Sequence, residues 1–317
     1  MKRNVFFVAV LLIALISVLP VWARGGSDAA SSGKIKVIFI AMDSMDEHWL
    51  KVKAGTEDKA KELGNVEISF NAPQGKVDAN SQLQLVEDAI TRKMDVILLA
   101  PLHRDALVPG VEKAKAAGVK VVIIDSAIGT SNYDAFFSTD NGAAARLAAD
   151  ELAKLIGETG KIAIVNAQAG STTTMIREND FKDQIAQKYP NITIVGTQYS
   201  DGDKTKALNI ATDFMTANPD LVGFYATNEG STVGTGNAID QAGKAGAIKF
   251  VGFDWSADTK ALIEKGVLQA TMVQNPYQMG YLGVQAAVDL VTGKALATKD
   301  ADTGVTVATT TNKDSIK

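Results

Sequence analysis

The stretch Val96–Asp125, VILLAPLHRDALVPGVEKAKAAGVKVVIID, decides the fold class. Two runs of branched apolar residues, 96–100 and 120–125, flank a segment, 107–117, in which apolar residues recur every three or four positions. Such runs are typical of strands buried on both faces, and the spacing between them is typical of a helix. This order of elements predicts a parallel βαβ unit.

The same alternation extends along the chain in two series. The predicted strands are 35–42, 66–71, 96–100, 120–125 and 135–138 in the first series, and 161–166, 192–197, 221–227, 248–254 and 269–273 in the second. The predicted helices include 79–92, 107–117, 143–156, 204–216 and 276–292, and 305–308 is a predicted edge strand. Two series of similar length predict an α/β fold of two doubly wound parallel-sheet lobes. The pattern of the last helix fits either lobe.

The composition excludes several classes of function. The 317 residues include no cysteine and two histidines, so disulfides, thiol catalysis and zinc sites of the cysteine or multi-histidine type are excluded and no metal is expected. A net charge of −4, with both signs well mixed, makes nucleic acid an improbable partner. Gly230, Gly234 and Gly236 do not form a dinucleotide-binding motif, and no phosphate-binding loop or nucleophile elbow is present, so no cofactor is expected.

The N-terminus predicts export. Lys2 and Arg3 precede an apolar run, 5–22, and small residues at Val21 and Ala23 form a cleavage site for signal peptidase. We therefore predict a signal peptide over 1–23 and a flexible leader over 24–33, with an uncleaved membrane anchor as the alternative.

Polar and aromatic side chains follow successive predicted strands. Because ligands bind beyond the carboxyl ends of parallel strands, these residues form the candidate site. The candidates are Asp46, His48, Trp49, Asp125, Ser126, Arg177, Asn228, Asp254 and Gln274, with His103 and Trp255 as further candidates. Carboxylates, amides and a guanidinium suit sugar hydroxyls, and flat rings suit the C–H faces of a sugar.

Each candidate also has a purely structural interpretation. Asp125 and Asp254 could cap the next element, and Asn228 could belong to a turn. Trp49 could be a core residue, and Arg177, which we expect at the start of a helix, could pair with a neighbouring carboxylate at the surface. Their repetition at one end of successive strands favours the site. Nothing pairs two carboxylates as an acid and a base, which argues against an exported carbohydrate-active enzyme.

The chain resembles the periplasmic sugar-binding proteins of the ribose/galactose type, which are type I periplasmic binding proteins and the soluble receptors of ABC importers. The resemblance covers about 34–308 and is specific because several segments occur together in order. These segments are IKVIFIAMDSMDEHW (35–49), ILLAP (97–101), VVIIDS (121–126), FFSTDN (136–141), RENDF (177–181), FYATNEG (224–230), FVGFDWS (250–256) and ATMVQNPYQMG (270–280).

The resemblance assigns roles to the candidates. Asp46, His48 and Trp49 stand where the family has an asparagine followed by aromatic residues that stack on the sugar. Asp125 matches an acceptor for ring hydroxyls, although Ser126 replaces the usual arginine. The second-lobe and hinge contacts match Arg177, Asn228, Asp254 and Gln274. Gly202 replaces an aromatic residue of ribose-type members, with Trp255 or Tyr199 as substitutes, so ribose itself is not the expected ligand.

The resemblance also implies an organisation and a function. Three crossovers would join a first lobe, 34–139 plus 275–303, to a second lobe, 140–274 plus 304–317. The expected function is non-enzymatic capture of a monosaccharide or small polyol by hinge closure, and its delivery to an ABC permease in the inner membrane. A nucleoside or a furanose signal is the alternative ligand. We expect a periplasmic monomer, and a chemoreceptor is a further candidate partner.

Overall fold

The computed structural model describes residues 33–44, 46–74 and 78–316. Its first sheet contains six parallel strands in the order β2-β1-β3-β4-β5-β11. The strands are β1 Ile35–Ile40, β2 Val66–Asn71, β3 Val96–Leu99, β4 Lys120–Ile124, β5 Ala135–Ser138 and β11 Asp300–Asp302. The helices that cover this sheet are α1 Glu47–Leu63, α2 Ala79–Thr91, α3 Val108–Ala116 and α9 Pro276–Thr292.

The second sheet repeats the arrangement in the order β7-β6-β8-β9-β10-β12, with only β12 antiparallel. Its strands are β6 Gly160–Asn166, β7 Ile192–Tyr199, β8 Leu221–Ala226, β9 Lys249–Phe253, β10 Ala270–Gln274 and β12 Val305–Thr309. Its helices are α4 Asn141–Ile156, α5 Thr172–Lys188, α6 Lys204–Ala217, α7 Glu229–Gln241 and α8 Ala257–Glu264, and a 3₁₀ turn, Lys313–Ser315, follows β12. The chain crosses between the sheets after β5, after β10 and after β11.

Each sheet has an apolar core on both faces, which explains the continuous apolar runs in the sequence. In the first lobe, α1 and α9 bury one face through residues such as Val52 and Val284, and α2 and α3 bury the other through Val86 and Val111. In the second lobe, α6, α7 and α8 cover one face, and α4 and α5 cover the other. Both sheets are therefore doubly wound, as the sequence predicts.

Three local details differ from the sequence analysis or go beyond it. Strand β11, DAD, was not predicted because two of its three residues are charged, yet it pairs with the edge strand β5. Helix α5 begins at Thr172, so Arg177 lies in its second turn and not at its start. Helix α9, which the pattern alone could not assign to a lobe, packs on the first sheet.

No helix within the described ranges is both long and apolar enough to cross a bilayer, and the predicted signal peptide lies outside those ranges.

Glycines allow helices α1 and α9 to cross with their backbones in contact. A Cβ atom on Gly55 would lie 2.0 Å from the carbonyl oxygen of Tyr277, and one on Gly280 would lie 2.1 Å from that of Val52. Neither backbone oxygen can move without separating the helices. This crossing holds α1, and with it the side chains at its first turn, against the first sheet.

We predict that Gly280→Ala destabilises the unliganded protein by about 1 to 3 kcal/mol, the usual cost of overpacking. Urea denaturation followed by circular dichroism measures the change. Val291→Ala, at an exposed position of the same helix, is the control and should change the stability little. Equal stability of Gly280→Ala and the wild type would show that the helices are free to separate.

Candidate functional site

A small cavity of about 60 Å³ lies between the two lobes, at the carboxyl ends of the parallel strands. It brings together most of the residues predicted from the sequence. These are Asp46, His48, Trp49, Asp125, Arg177, Asn228, Asp254 and Gln274. The volume is room for a few water-sized groups, which suits a small ligand enclosed by both lobes.

Asp125 and Asp254 occupy equivalent positions in the two lobes. Each directly follows the fourth strand of its series, β4 or β9, and its amide donates to the next strand, to Phe137 O at 2.8 Å and Met272 O at 2.9 Å. Both adopt the left-handed conformation, with φ of 65° and 73°. That conformation costs a non-glycine residue about 1 to 3 kcal/mol. Neither is the N-cap of the following helix, so the capping interpretation of these two residues fails.

His48 lies between these two aspartates. Its Nε2 is 3.1 Å from Asp125 Oδ1 in its own lobe, and its Nδ1 is 3.7 Å from Asp254 Oδ1 in the other lobe. Burial acts to lower the pKa of His48, but its contact with Asp125 and the charges of both aspartates outweigh burial and raise it. The same contact overcomes the effect of burial on Asp125 and lowers its pKa. An imidazolium between two carboxylates is therefore the favoured state of this group.

Arg177 is fixed by neutral partners from three directions. Its Nε donates to Asn141 Oδ1 and its Nη1 to Thr227 O, both at 2.8 Å, and the guanidinium stacks on Phe253 at 4.0 Å. Within the described part of the chain it forms no surface ion pair, which was the structural alternative to a role in the site. Its remaining nitrogen, Nη2, is buried, has no hydrogen-bond partner among the described residues and belongs to a side chain that lines the cavity.

A second polar atom at the cavity lacks a partner among the described residues. Gln274 donates from Nε2 to Asp254 Oδ1 at 2.7 Å, but its Oε1 has no hydrogen-bond partner there. The side chains of Arg177 and Gln274 are buried, at 1% and 7% exposed. Leaving such a group unpaired costs about 1 to 3 kcal/mol. A hydroxylated ligand would remove that cost.

Asn228 has both a structural and a site contact. Its Oδ1 accepts from Ser231 N at 3.0 Å and caps α7, while its Nδ2 reaches across the cleft to Asp46 Oδ2 at 3.4 Å. Trp49 also combines two roles, since it is 5% exposed in the core of the first lobe and still lines the cavity. Its ring meets His48 edge to face, with centroids 4.6 Å apart.

Several predicted residues do not line this cavity. Ser126 is buried behind it and accepts from Thr173 N at 3.3 Å. His103 accepts from Asp105 N and Ala106 N through Nδ1 and lies against Gly170 of the other lobe. The two proposed substitutes for the family's second aromatic residue are also elsewhere. Trp255 lines a separate cavity of about 600 Å³ with Lys51 and Tyr277, and Tyr199 donates to Glu178 at 3.1 Å.

The sequence analysis missed residues that position the site. Asp43 accepts from Trp49 Nε1 and from Asp46 N, both at 3.0 Å. Asn141 holds Arg177, and Thr173 donates to Asp125 O at 3.3 Å. Asp43 could have been found, because it lies in the same loop as Asp46. Asn141 and Thr173 carry no signal in the sequence, since Asn141 reaches Arg177 through the packing of α4 on α5, and Thr173 reaches Asp125 through the packing of one lobe on the other.

Comparison with known proteins is decisive at this point. The chain matches the family described as "Periplasmic binding protein domain" over residues 37–295. The chain belongs to this family. It is 34% identical to the D-allose-binding periplasmic protein of Escherichia coli K12 over 76% of this chain and 79% of that protein. It is 30% identical to the ribose import binding protein of Bacillus subtilis 168, over 93% and 95%.

Solved structures of periplasmic binding proteins share the same architecture. An ABC transporter solute binding protein from Agrobacterium vitis with bound D-fucose has a TM-score of 0.85 and 39% identity, covering 88% of this chain and 97% of that one. A carbohydrate transporter solute binding protein from Agrobacterium radiobacter in complex with D-arabinose has a TM-score of 0.85 and 32% identity, covering 89% and 96%. The fold is therefore that of a type I periplasmic binding protein, and these relatives are binding proteins and not enzymes.

We predict that Asp125→Gly leaves the unliganded protein more stable than Asp125→Ala. Glycine adopts the left-handed conformation freely, whereas alanine retains a strain of about 1 kcal/mol, and both lose the same carboxylate. Urea denaturation of the two variants measures the difference directly. An alanine variant as stable as the glycine variant would mean that the strand end relaxes and does not enforce this conformation.

Proposed function

We propose that this protein is an extracytoplasmic solute receptor that binds an uncharged monosaccharide between its lobes and delivers it to an ABC importer. The observation that carries the proposal is that Arg177 Nη2 and Gln274 Oε1, on buried side chains around one cavity, have no hydrogen-bond partner among the described residues. A nitrogen donor and an oxygen acceptor fit hydroxyl groups, each of which both donates and accepts.

The charge of the lining supports an uncharged ligand. Acidic residues from both lobes line the cavity, including Asp46, Asp125 and Asp254, against the two bases His48 and Arg177. His48 is paired with Asp125, and Arg177 is outnumbered by the carboxylates of the lining. Sugar acids and sugar phosphates should therefore bind poorly.

The relatives narrow the class of sugar. Their names specify D-allose and ribose, and the solved structures hold D-fucose and D-arabinose, all single-ring sugars. The cavity is lined by side chains of both lobes, which agrees with a small ligand held between them. Gly202 lines the cavity where ribose-type members have an aromatic residue, which favours a ligand other than ribose.

Hinge closure is the proposed mechanism of capture. The lobes already touch on both sides of the cavity: Thr172 Oγ1 donates to Ala127 O at 2.8 Å, Arg104 N to Gly170 O at 3.1 Å, and Ala257 N to Glu47 Oε1 at 3.2 Å. A ligand held by both lobes gains contacts only when they close. Each hydroxyl that does not match its partner leaves a buried group unsatisfied, so the site should distinguish epimers.

The finer assignments belong to the same proposal. Export through the predicted signal peptide would place the protein in the periplasm, where it would meet its permease. The lobe boundaries 34–139 plus 275–303 and 140–274 plus 304–317 remain predictions. The monomeric state and docking to a chemoreceptor are also predictions.

A thermal-shift screen tests the proposed ligand class. We expect D-fucose, D-arabinose or D-allose to raise the melting temperature, because a ligand at 100 times its dissociation constant stabilises the folded state by about 2.7 kcal/mol. Galacturonate and adenosine, as an acidic sugar and a nucleoside, should cause no shift. A shift with adenosine alone would contradict the sugar assignment and leave the fold unaffected.

Asn228→Ala should weaken the binding of the active sugar at least tenfold, because Asn228 both caps α7 and reaches into the cleft. Isothermal titration calorimetry measures the affinity. Asn132→Ala removes an asparagine that is exposed on the first lobe, away from the cavity, and is the control that should bind normally. Wild-type affinity in Asn228→Ala would show that the sugar binds elsewhere.

A further inference from the structure

Closure brings carboxylates from both lobes to one end of the cavity. Asp43 and Asp46 come from the loop after β1 in the first lobe, and Glu229 and Asp254 come from the second lobe. Like charges from two bodies repel each other as the bodies approach, and the repulsion grows as water leaves the cleft. The cation nearest to Asp46 is Lys204, which has a side chain 41% exposed and a pairing with Asp258 at 2.9 Å.

Three of these carboxylates have partners of their own. Asp254 accepts from Glu229 N at 2.8 Å and from Gln274. Glu229 accepts from His48 N at 3.4 Å and lies 3.7 Å from Lys204 Nζ. Asp43 accepts from the indole of Trp49 and from a backbone amide.

Asp46 is the least compensated member of this group. Its only hydrogen bond through the side chain, within the part of the chain that the structure describes, is the 3.4 Å contact from Asn228 Nδ2 to Oδ2. The other oxygen, Oδ1, belongs to a side chain that lines the same cavity as Gln274 and Arg177. A carboxyl group in this position is more stable in its protonated form than in its ionised form.

The electrostatic balance agrees with that geometry. Burial, followed by the charges of Asp43, Glu229 and Asp254, raises the pKa of Asp46 well above its ordinary range, and only Lys204 opposes the increase. Burial and Asp254 raise the pKa of Glu229 to about 7. Asp201 also lines the cavity, but it is exposed and pairs with Lys206 at 2.6 Å.

We propose that Asp46 is a specificity-determining residue that holds a proton in the closed cleft and donates its O–H to an oxygen of the sugar. The inference rests on the proposed function and deepens it, because it states the form in which the site recognises its ligand. Arg177 Nη2 and Gln274 Oε1, which have no hydrogen-bond partner among the described residues, point independently to a ligand in this cavity.

Proton uptake follows from the proposal. Opening the cleft would separate Asp46 from Glu229 and Asp254 and return water to it, so closure is the step that raises its pKa. Binding therefore takes up a proton at any pH between the two values, and the affinity falls as the pH rises through that window. One proton limits the fall to about tenfold per pH unit.

Isothermal titration calorimetry with D-fucose and D-arabinose between pH 5.5 and pH 8.5 measures how the dissociation constant depends on pH and so tests the proposal. The same titration at pH 7 in two buffers of different ionisation enthalpy measures the proton uptake on binding. For the wild type we expect the dissociation constant to rise with pH within this range, by no more than about tenfold per pH unit. Asp46→Asn, which keeps a donor and suits a helix N-cap, should bind with a dissociation constant that changes little with pH.

Two further variants separate the carboxylates. Glu229→Gln should retain a rise in the dissociation constant, and Asp258→Asn, a control that removes an exposed carboxylate beside Lys204, should behave as the wild type. A wild-type affinity independent of pH, or a rise that persists in Asp46→Asn and vanishes in Glu229→Gln, would overturn the assignment to Asp46 alone. No binding of any monosaccharide at any pH would contradict the proposed function and this inference with it.

Discussion

The ion contact of His48 with Asp125 and Asp254 is the interaction on which the site depends. It joins the ends of β4 and β9, which belong to different sheets, through one imidazole that is buried between them. Each aspartate keeps a left-handed conformation that aims its carboxylate toward the other lobe. The surrounding packing must hold this strain, because neither residue is free to relax into the strand that precedes it.

The rest of the cleft is arranged around that contact. Asp254 also receives the amide of Glu229 at the start of α7 and the side chain of Gln274 at the crossover after β10. Arg177 is held by a carbonyl group and an amide instead of a carboxylate, so its free nitrogen stays directed to the cavity lining. Polar groups that are buried but incompletely paired make the empty cleft less stable than the filled one.

The repeated βαβ pattern was sufficient to predict both sheets, because each strand is an uninterrupted apolar run and each helix has its own periodicity. It did not predict β11, since a strand of two aspartates and an alanine has no apolar pattern and forms only because β5 offers an open edge. Most residues of the candidate site could be predicted because they follow the ends of predicted strands. Asn141 and Thr173 could not, because the contact of Asn141 with Arg177 exists only once α4 packs on α5, and that of Thr173 with Asp125 only once the two lobes meet. The strand end predicts where the backbone of Trp255 lies, whereas its ring packs beside the core of its own lobe and lines the second cavity.

The return of the chain to the first sheet has a consequence for biogenesis. Helix α9 covers one face of that sheet and β11 completes its edge, yet both are made after the whole of the second sheet except β12. In a nascent chain that ends before residue 276, one apolar face of the first sheet is still exposed, so the first lobe cannot complete its folding. A chain that folds late stays unfolded for longer, and an unfolded chain is what a secretion channel accepts.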